Sequence, residues 1–450
     1  MSQWLERYRR VHPSVVMRDH DPKFGLVFSH GSGSQLWDTD GRDYIDLTCG
    51  YAACNFGQAF APLVAAAQRQ LTELTQVTGE PHRGRIELAE QLLDMFAPSG
   101  GGWQVVFNTT GARGVETAWK AAVAYRPGRV VALGPAFHGR SIATTALGHS
   151  PPATPLPLQQ LGAAVEVRAL DEYPYCAACR LAVEYPQCNM QCMDSLLASL
   201  AAGAPEISAV IVEPAIGARG YIFPPAEFFV RLRQVTAEHG ILLIADEIQT
   251  GLGRCGHLSL AQAQGWQPDV LVLGKSLAGG IAPLSAVLGR SEVLTALPPG
   301  SESETYAASP LATAVALEVL QQLRSGPWLQ RGQQLGATFR EWARRQLAQS
   351  GWQGCRVEGQ GASCVVEFRG LANSPGANSP GAARCRQFVQ ACRQHGVLTH
   401  LSGPELTRCV WLPALTMSDS ERELATVRLG RAFAAIATNS PIVNREEQVR

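Results

Sequence analysis

The chain has 450 residues, a formal net charge of zero (38 basic against 38 acidic residues) and 46% apolar side chains. That balance belongs to a globular protein with a large core, and no basic face or charge block points to nucleic acid. Met1 to Arg10 is charged and lacks the apolar core of a secretion signal, and no apolar run approaches a membrane span, so a cytoplasmic protein is expected.

In chain order, the first fifty residues read as a small antiparallel meander. Val27-Phe28, Leu36-Trp37-Asp38 and Tyr44-Ile45-Asp46-Leu47 are β-rich and separated by glycine turns. From 60 to 310, short apolar runs alternate with helical patterns, the signature of an α/β fold with a mostly parallel sheet. Helices are predicted over Pro62–Leu74, Arg85–Phe96, Gly114–Tyr125, Ala226–His239 and Pro310–Leu323; in the second, Ile86, Ala89, Leu92 and Leu93 share a face. Strands are predicted over Gln104–Asn108, Val130–Gly134, Ile207–Glu213, Ile241–Asp246, Val270–Gly274 and Leu284–Leu288.

A cysteine cluster, Cys176, Cys179, Cys188 and Cys192, interrupts this pattern at about 173–193. Four thiols so close have the makings of a zinc or iron–sulfur site. Their spacing matches zinc ribbons only loosely, and Pro174 and Pro186 suit an irregular surface insertion with free thiols, so no metal is assigned. The remaining cysteines are scattered, which fits a reducing compartment. Towards the C-terminus, helix mixes with short strands such as Cys364–Phe368. Asn373-Ser374-Pro375-Gly376-Ala377 repeats as Asn378-Ser379-Pro380-Gly381-Ala382, which reads as a turn-rich surface loop. The expected organisation is a large domain over 61–325, with 1–60 and 326–450 building a smaller α+β domain.

Lys23, Lys120 and Lys275 are the only lysines, so 35 of the 38 basic residues are arginine. Lys275 follows the apolar run Val270-Leu271-Val272-Leu273-Gly274, and upstream Ile241-Leu242-Leu243-Ile244-Ala245 ends in Asp246-Glu247. An ordinary solvated lysine rarely has so apolar an approach. A nucleotide-binding loop is excluded, because Asp269 stands where that pattern needs glycine and the strand runs straight into Gly274. One buried strand delivering a carboxylate and another delivering a lone amine suit pyridoxal 5′-phosphate (PLP), whose aldehyde needs a lysine and whose ring nitrogen needs an acid. Asn108-Thr109-Thr110-Gly111-Ala112-Arg113-Gly114 follows a strand and opens a helix, whose N-terminus can hold a phosphate; a plain capped turn fits the same residues. Phe137-His138-Gly139-Arg140 lies just past a strand end, where ligands of open α/β sheets collect. There Phe137 can stack on a planar ring and Arg140 can meet a carboxylate, while His138 alone reads as structural.

Asp246-Glu247-Ile248-Gln249-Thr250-Gly251-Leu252-Gly253-Arg254 and Gly274-Lys275-Ser276-Leu277-Ala278-Gly279-Gly280 resemble the PLP signature of the class III aminotransferases, the family of the 4-aminobutyrate, ornithine and acetylornithine enzymes. The resemblance runs from Trp37-Asp38 and Asp40-Gly41-Arg42 through Glu213-Pro214 to Thr305-Tyr306-Ala307-Ala308-Ser309-Pro310-Leu311-Ala312. It implies a fold-type I PLP transferase that works as a homodimer with shared active sites. The implied reaction is ping-pong transfer of an amino group from a primary amine (an ω-amino acid, diamine or amino sugar) to a 2-oxo acid. Carried over position by position, Lys275 matches the lysine that binds the cofactor aldehyde as a Schiff base and shuttles the proton. Asp246 matches the acid that keeps the ring nitrogen protonated, Gln249 lies near the phenolic oxygen, and Phe137 is the stacking aromatic. Gly111 and Ala112 take the phosphate loop, and Thr305 matches a phosphate contact given to the neighbouring subunit. An epimerase, mutase or decarboxylase on the same scaffold is the alternative outcome. A cofactor-free binding protein is disfavoured by the intact Lys275, Asp246, Gln249 and Thr305.

Two departures from the family pattern stand out. Ala112 and Arg113 replace the usual hydroxyl and glutamate after the glycine, a variation that resembles branches acting on amino sugars. After Glu213-Pro214 the aminobutyrate-type enzymes carry a glutamate that pairs with a C-terminal arginine; here that position is Ala218, and the arginine is Arg408. Arg408 is therefore expected to stay free and bind a substrate carboxylate. Tyr51, where relatives carry a smaller residue, either narrows the pocket or hydrogen-bonds a polar amine, with a packed core tyrosine as the alternative.

Overall fold

The computed structural model describes residues 3–13, 25–78, 80–148, 165–168, 185–350, 352, 354–368, 379–403 and 405–437. The N-terminal meander is as expected: β1 (Phe28–Ser32), β2 (Gln35–Asp38) and β3 (Asp43–Asp46) pair antiparallel in sequence order.

Among the described residues seven strands form the central sheet: β4 (Trp103–Asn108), β5 (Arg129–Leu133), β6 (Val165–Arg168), β7 (Ile207–Val212), β8 (Leu242–Asp246), β9 (Val270–Leu273) and β10 (Ser285–Arg290). Their spatial order is β4-β10-β9-β8-β7-β5-β6. All neighbours run parallel except β10, which is antiparallel to both β4 and β9. β7, β8 and β9 are buried at every position, as strands covered on both faces must be. Alternate residues feed two cores. Val131, Val210, Leu243 and Leu271 join one with the helices Arg83–Phe96, Ala226–Glu238 and Pro310–Ser325. Val130, Ala209, Ile244 and Val272 join the other with Val115, Ala118 and Ala122 of the helix Gly111–Tyr125.

In the helix Arg83–Phe96 the expected face holds at Leu92, with Ala89 and Leu93 partly buried against the core, but not at Ile86. Leu88, Leu92 and Phe96 are fully buried, whereas Ile86 is 51% exposed. Residues four apart stay on one stripe, and Ile86, two residues before Leu88, falls on the opposite side.

The C-terminal strands are β11 (Cys355–Glu358), β12 (Cys364–Phe368), β13 (Val397–Leu398), β14 (His400–Ser402) and β15 (Arg408–Trp411). Four of them form an antiparallel sheet in the order β11-β12-β15-β14, while β13 pairs in parallel with β3 and so joins the two ends of the chain. Phe339, Phe368, Phe388, Trp411 and Phe433 fill the core behind this sheet. The second copy of the pentapeptide repeat is not loop. Ser379 caps the helix Pro380–Gln394, its hydroxyl accepting from the Ala382 N–H at 3.2 Å, and Ala382 is buried. A serine followed by proline is a helix start as much as a turn. The first copy lies outside the described residues, as do Cys176 and Cys179. Cys188 is a free thiol, and no metal-ligand cluster occurs among the described residues.

Candidate active site

The carboxyl ends of β4, β5, β7, β8 and β9 lie along one edge of the sheet, where such folds collect ligands. Each strand delivers a wall of one cavity of about 200 Å³: Gly111 and Ala112 after β4, Phe137 and His138 after β5, Glu213 after β7, Asp246 ending β8, and Lys275 after β9.

Asp246 is buried and doubly held. One carboxylate oxygen accepts from the Ile248 N–H at 3.1 Å, and the other lies 2.8 Å from Nδ1 of His138. Burial works against a charge on His138, but the hydrogen bond to Asp246, together with the Asp246 and Glu213 charges, outweighs it and raises the imidazole pKa. Glu213 accepts from the N–H groups of Phe137 at 2.9 Å and Gly217 at 3.1 Å. Burial, aided by the Asp246 charge, nevertheless pushes its carboxyl up to about 7. Lys275 sits in a left-handed turn residue, φ 43°, between β9 and Gly279. Burial lowers its pKa and the Asp246 and Glu213 charges oppose that shift. An amine lowered in this way is a better nucleophile at neutral pH.

Gln249 donates from Nε2 to the Tyr51 carbonyl at 3.1 Å, and its buried Oε1 has no partner among the described residues. The Tyr51 ring meets His400 edge-on, with centroids 4.8 Å apart. Arg140 lies 5.3 Å over the Phe137 ring.

The helix after β4 begins at Gly111, three residues earlier than the pattern predicted, with the Thr110 hydroxyl as its cap. This leaves the first-turn N–H groups of Gly111 and Ala112 at the cavity. Gly111 is required there: a Cβ would stand 2.8 Å from Ile248. Arg113 turns instead to carboxylates, 3.0 Å from Glu304, 3.2 Å from Glu302 and 3.6 Å from Glu116. Glu304 also binds the Thr109 N–H, the Thr109 hydroxyl and Asn108, while Lys120 pairs with Glu302. Thr305 follows this acidic segment, is exposed, and lies outside its own chain's cavity.

Arg408 corrects the sequence expectation. It is fully buried and far from free: Nε donates to the Gly220 carbonyl at 2.8 Å, Nη2 meets Glu358 at 2.5 Å, and Nη1 meets Glu367 at 3.2 Å. The glutamate lost at Ala218 is thus replaced by two acids from β11 and β12. Nothing in the local sequence signals this, because it depends on strand pairing with β15. Sequence reading also left His138 as structural, although its place beside Phe137 beyond β5 was the available signal.

The sequence model of the class-III aminotransferases matches residues 15–433. The chain belongs to the class III aminotransferases. This aminotransferase is 34% identical to 2-aminoadipate transaminase of Pseudomonas putida, over 84% of this chain and 88% of that protein. It is 32% identical to 4-aminobutyrate aminotransferase of Escherichia coli, over 93% and 94%. Among solved structures, an amine transaminase from an uncultivated Pseudomonas species in its PLP-bound form superposes with a TM-score of 0.78 at 30% identity, covering 93% of this chain and 97% of that one.

As a class III aminotransferase the enzyme depends on PLP and transfers amino groups to 2-oxo acids. The residues present fit that cofactor. A buried carboxylate, an amine of lowered pKa, an aromatic face and a helix N-terminus converge on one cavity, and Gln249 Oε1 is left over as an acceptor beside it. The relatives compared are all aminotransferases or transaminases, and nothing in them supports the epimerase, mutase or decarboxylase alternative.

Proposed function

We propose that this enzyme takes the amino group of a primary amine and passes it to a 2-oxo acid by a ping-pong route, with Lys275 and Asp246 as its catalytic pair. The observation that carries this reading is the delivery of both residues by neighbouring strands, β9 and β8, into one cavity. Bound PLP supplies the electron sink that weakens the bond to hydrogen at the substrate's amino-bearing carbon. Asp246, fixed by His138 and the Ile248 N–H, would partner the cofactor's ring nitrogen and hold a proton on it. The Lys275 amine would hold the cofactor through its aldehyde and, when freed by substrate, its Nζ would carry the proton lost by the substrate carbon to the former aldehyde carbon of the cofactor. Gly111 and Ala112 would donate N–H groups to the phosphate, Phe137 would supply the stacking face, and Gln249 would serve the phenolic oxygen. Arg140 serves the substrate carboxylate and Tyr51 the substrate side of the cavity.

Thr305 completes the phosphate site of a second copy, which makes the working unit a homodimer with shared sites. Its exposure supports this, as do the exposed apolar side chains of Leu71, Leu74, Ile86, Ile281 and Tyr306 on segments nearby. No described helix is long and apolar enough to cross a membrane, which is compatible with a cytoplasmic enzyme.

Borohydride reduction of the PLP-loaded protein, followed by peptide mass mapping, tests the assignment. The adduct is expected on Lys275, and Lys275→Ala should lose it together with about 10²–10⁴-fold of the transfer rate. An adduct mapped to Lys23 or Lys120 instead would refute it.

A further inference from the structure

Lys275 is held in a backbone conformation that it would not keep unaided. Its φ of 43° lies in the left-handed region, which residues with a side chain rarely adopt, and it opens the short 3-10 turn Lys275–Ala278. The next residue is the handle. Ser276 is buried, and its hydroxyl accepts from Nδ2 of Asn55 at 3.0 Å. The same Nδ2 donates to the Leu252 carbonyl at 3.1 Å, and Leu252 is itself left-handed, at φ 54°. One buried amide thus joins two strained stretches, one beyond β8 and one beyond β9. Arg254 decides which way that amide points. It is fully buried, and its Nε and Nη2 both donate to Asn55 Oδ1, at 3.1 and 2.6 Å. A guanidinium has only donors, so the amide oxygen must face it and the amide nitrogen must face Ser276 and Leu252. Nη1 of Arg254 donates to the carbonyls of Ala362 and Pro413, at 2.8 and 2.9 Å, and the Asn55 carbonyl accepts from the Leu415 N–H at 2.7 Å. Asn55 is therefore clamped between the C-terminal part of the chain and the lysine turn.

We propose that Asn55 is a positioning residue for Lys275: oriented by Arg254, its amide holds Ser276 and so keeps the lysine in the left-handed turn from which Nζ reaches the cofactor aldehyde. Lys275 lines the cavity and Asn55 does not, so Asn55 acts through the turn alone. Without the Ser276 contact the turn relaxes into conformations that misplace the amine. The apparent affinity for an aldehyde then falls in proportion to the competent population that is lost. The proposal rests on the aminotransferase reading of the site.

The test compares the full-length enzyme loaded with PLP and loaded with pyridoxamine 5′-phosphate. The second fills the same cavity but carries an amine in place of the aldehyde, so it cannot bond to Lys275. Kd is measured for both in the wild type, Ser276→Ala, Asn55→Ala and the double variant. Ser276→Ala should weaken PLP binding by about 3–10-fold, the worth of one hydrogen bond, and leave pyridoxamine phosphate binding unchanged. Asn55→Ala should move the ratio of the two affinities the same way. The double variant should move it no further than Asn55→Ala does, because the two residues act as one unit. Should Asn55→Ala fail to fold, having stripped Arg254 of its acceptor, Ser276→Ala alone decides. Equal weakening of both cofactors by Ser276→Ala, or no change in either, would overturn the proposal. A wild-type enzyme that shows no borohydride adduct on Lys275 would instead overturn the functional reading, and the proposal with it.

Discussion

A buried imidazole donating to a buried carboxylate couples the charge states of the two, and His138 with Asp246 is such a pair. Because the folded pKa of His138 is raised above its unfolded value, folding favours the protonated ring. The stability this contributes is fully present below the unfolded pKa, about 6.5, and is lost as pH rises through the folded value. In the cofactor-free protein, His138→Gln should therefore lower Tm more at about pH 6 than at about pH 9. A Tm difference that does not change with pH would show that Asp246 does not favour the protonated ring of His138. The chemistry of Lys275 and Asp246 was legible in sequence because each ends an apolar run. The pairing of His138 was not, since the two partners are 108 residues apart and meet only when β5 and β8 join one sheet.

Elements meet most tightly where side chains are absent. The helix Trp328–Ser350 crosses the turn before β12 at Gly336, where an added Cβ would stand 1.8 Å from the Gly361 carbonyl oxygen. At Gly332, one turn earlier, the same addition meets chiefly the far end of the Leu415 side chain, at 2.7 Å. Gly336→Ala should thus cost about 1–3 kcal/mol in urea unfolding, and Gly332→Ala distinctly less, because a flexible side chain yields where backbone does not. Equal costs would show that the crossing adjusts freely. At this scale the sequence spoke clearly about the central strands, whose unbroken apolar runs announce burial on both faces. It spoke poorly about edges and faces. The helix at Gly111 starts early because Thr110 caps it, and Ile86 lost its expected burial to the Leu88, Leu92, Phe96 stripe.

For the whole molecule we read residues 1–60 and 326–450 as one small domain, with β3 and β13 as its seam, beside the large domain that bears the site. The proposed dimer extends that logic, since each large domain would lend Thr305 to the other. Replacing Ile281 and Tyr306 together by Asp should give monomers in sedimentation that hold PLP about tenfold more weakly or worse, one phosphate contact being worth roughly that much. Monomers that keep full cofactor affinity would show that a single chain completes its own site. The near absence of lysine carries one more consequence. Excess PLP decorates most proteins with stray adducts on surface amines, which swamp the spectrum and obscure stoichiometry. Here the Lys120 amine is already engaged by Glu302, and Lys23 is the only other lysine side chain to compete with Lys275. The protein therefore comes close to counting its own cofactor: one chain, one aldehyde captured, almost no background.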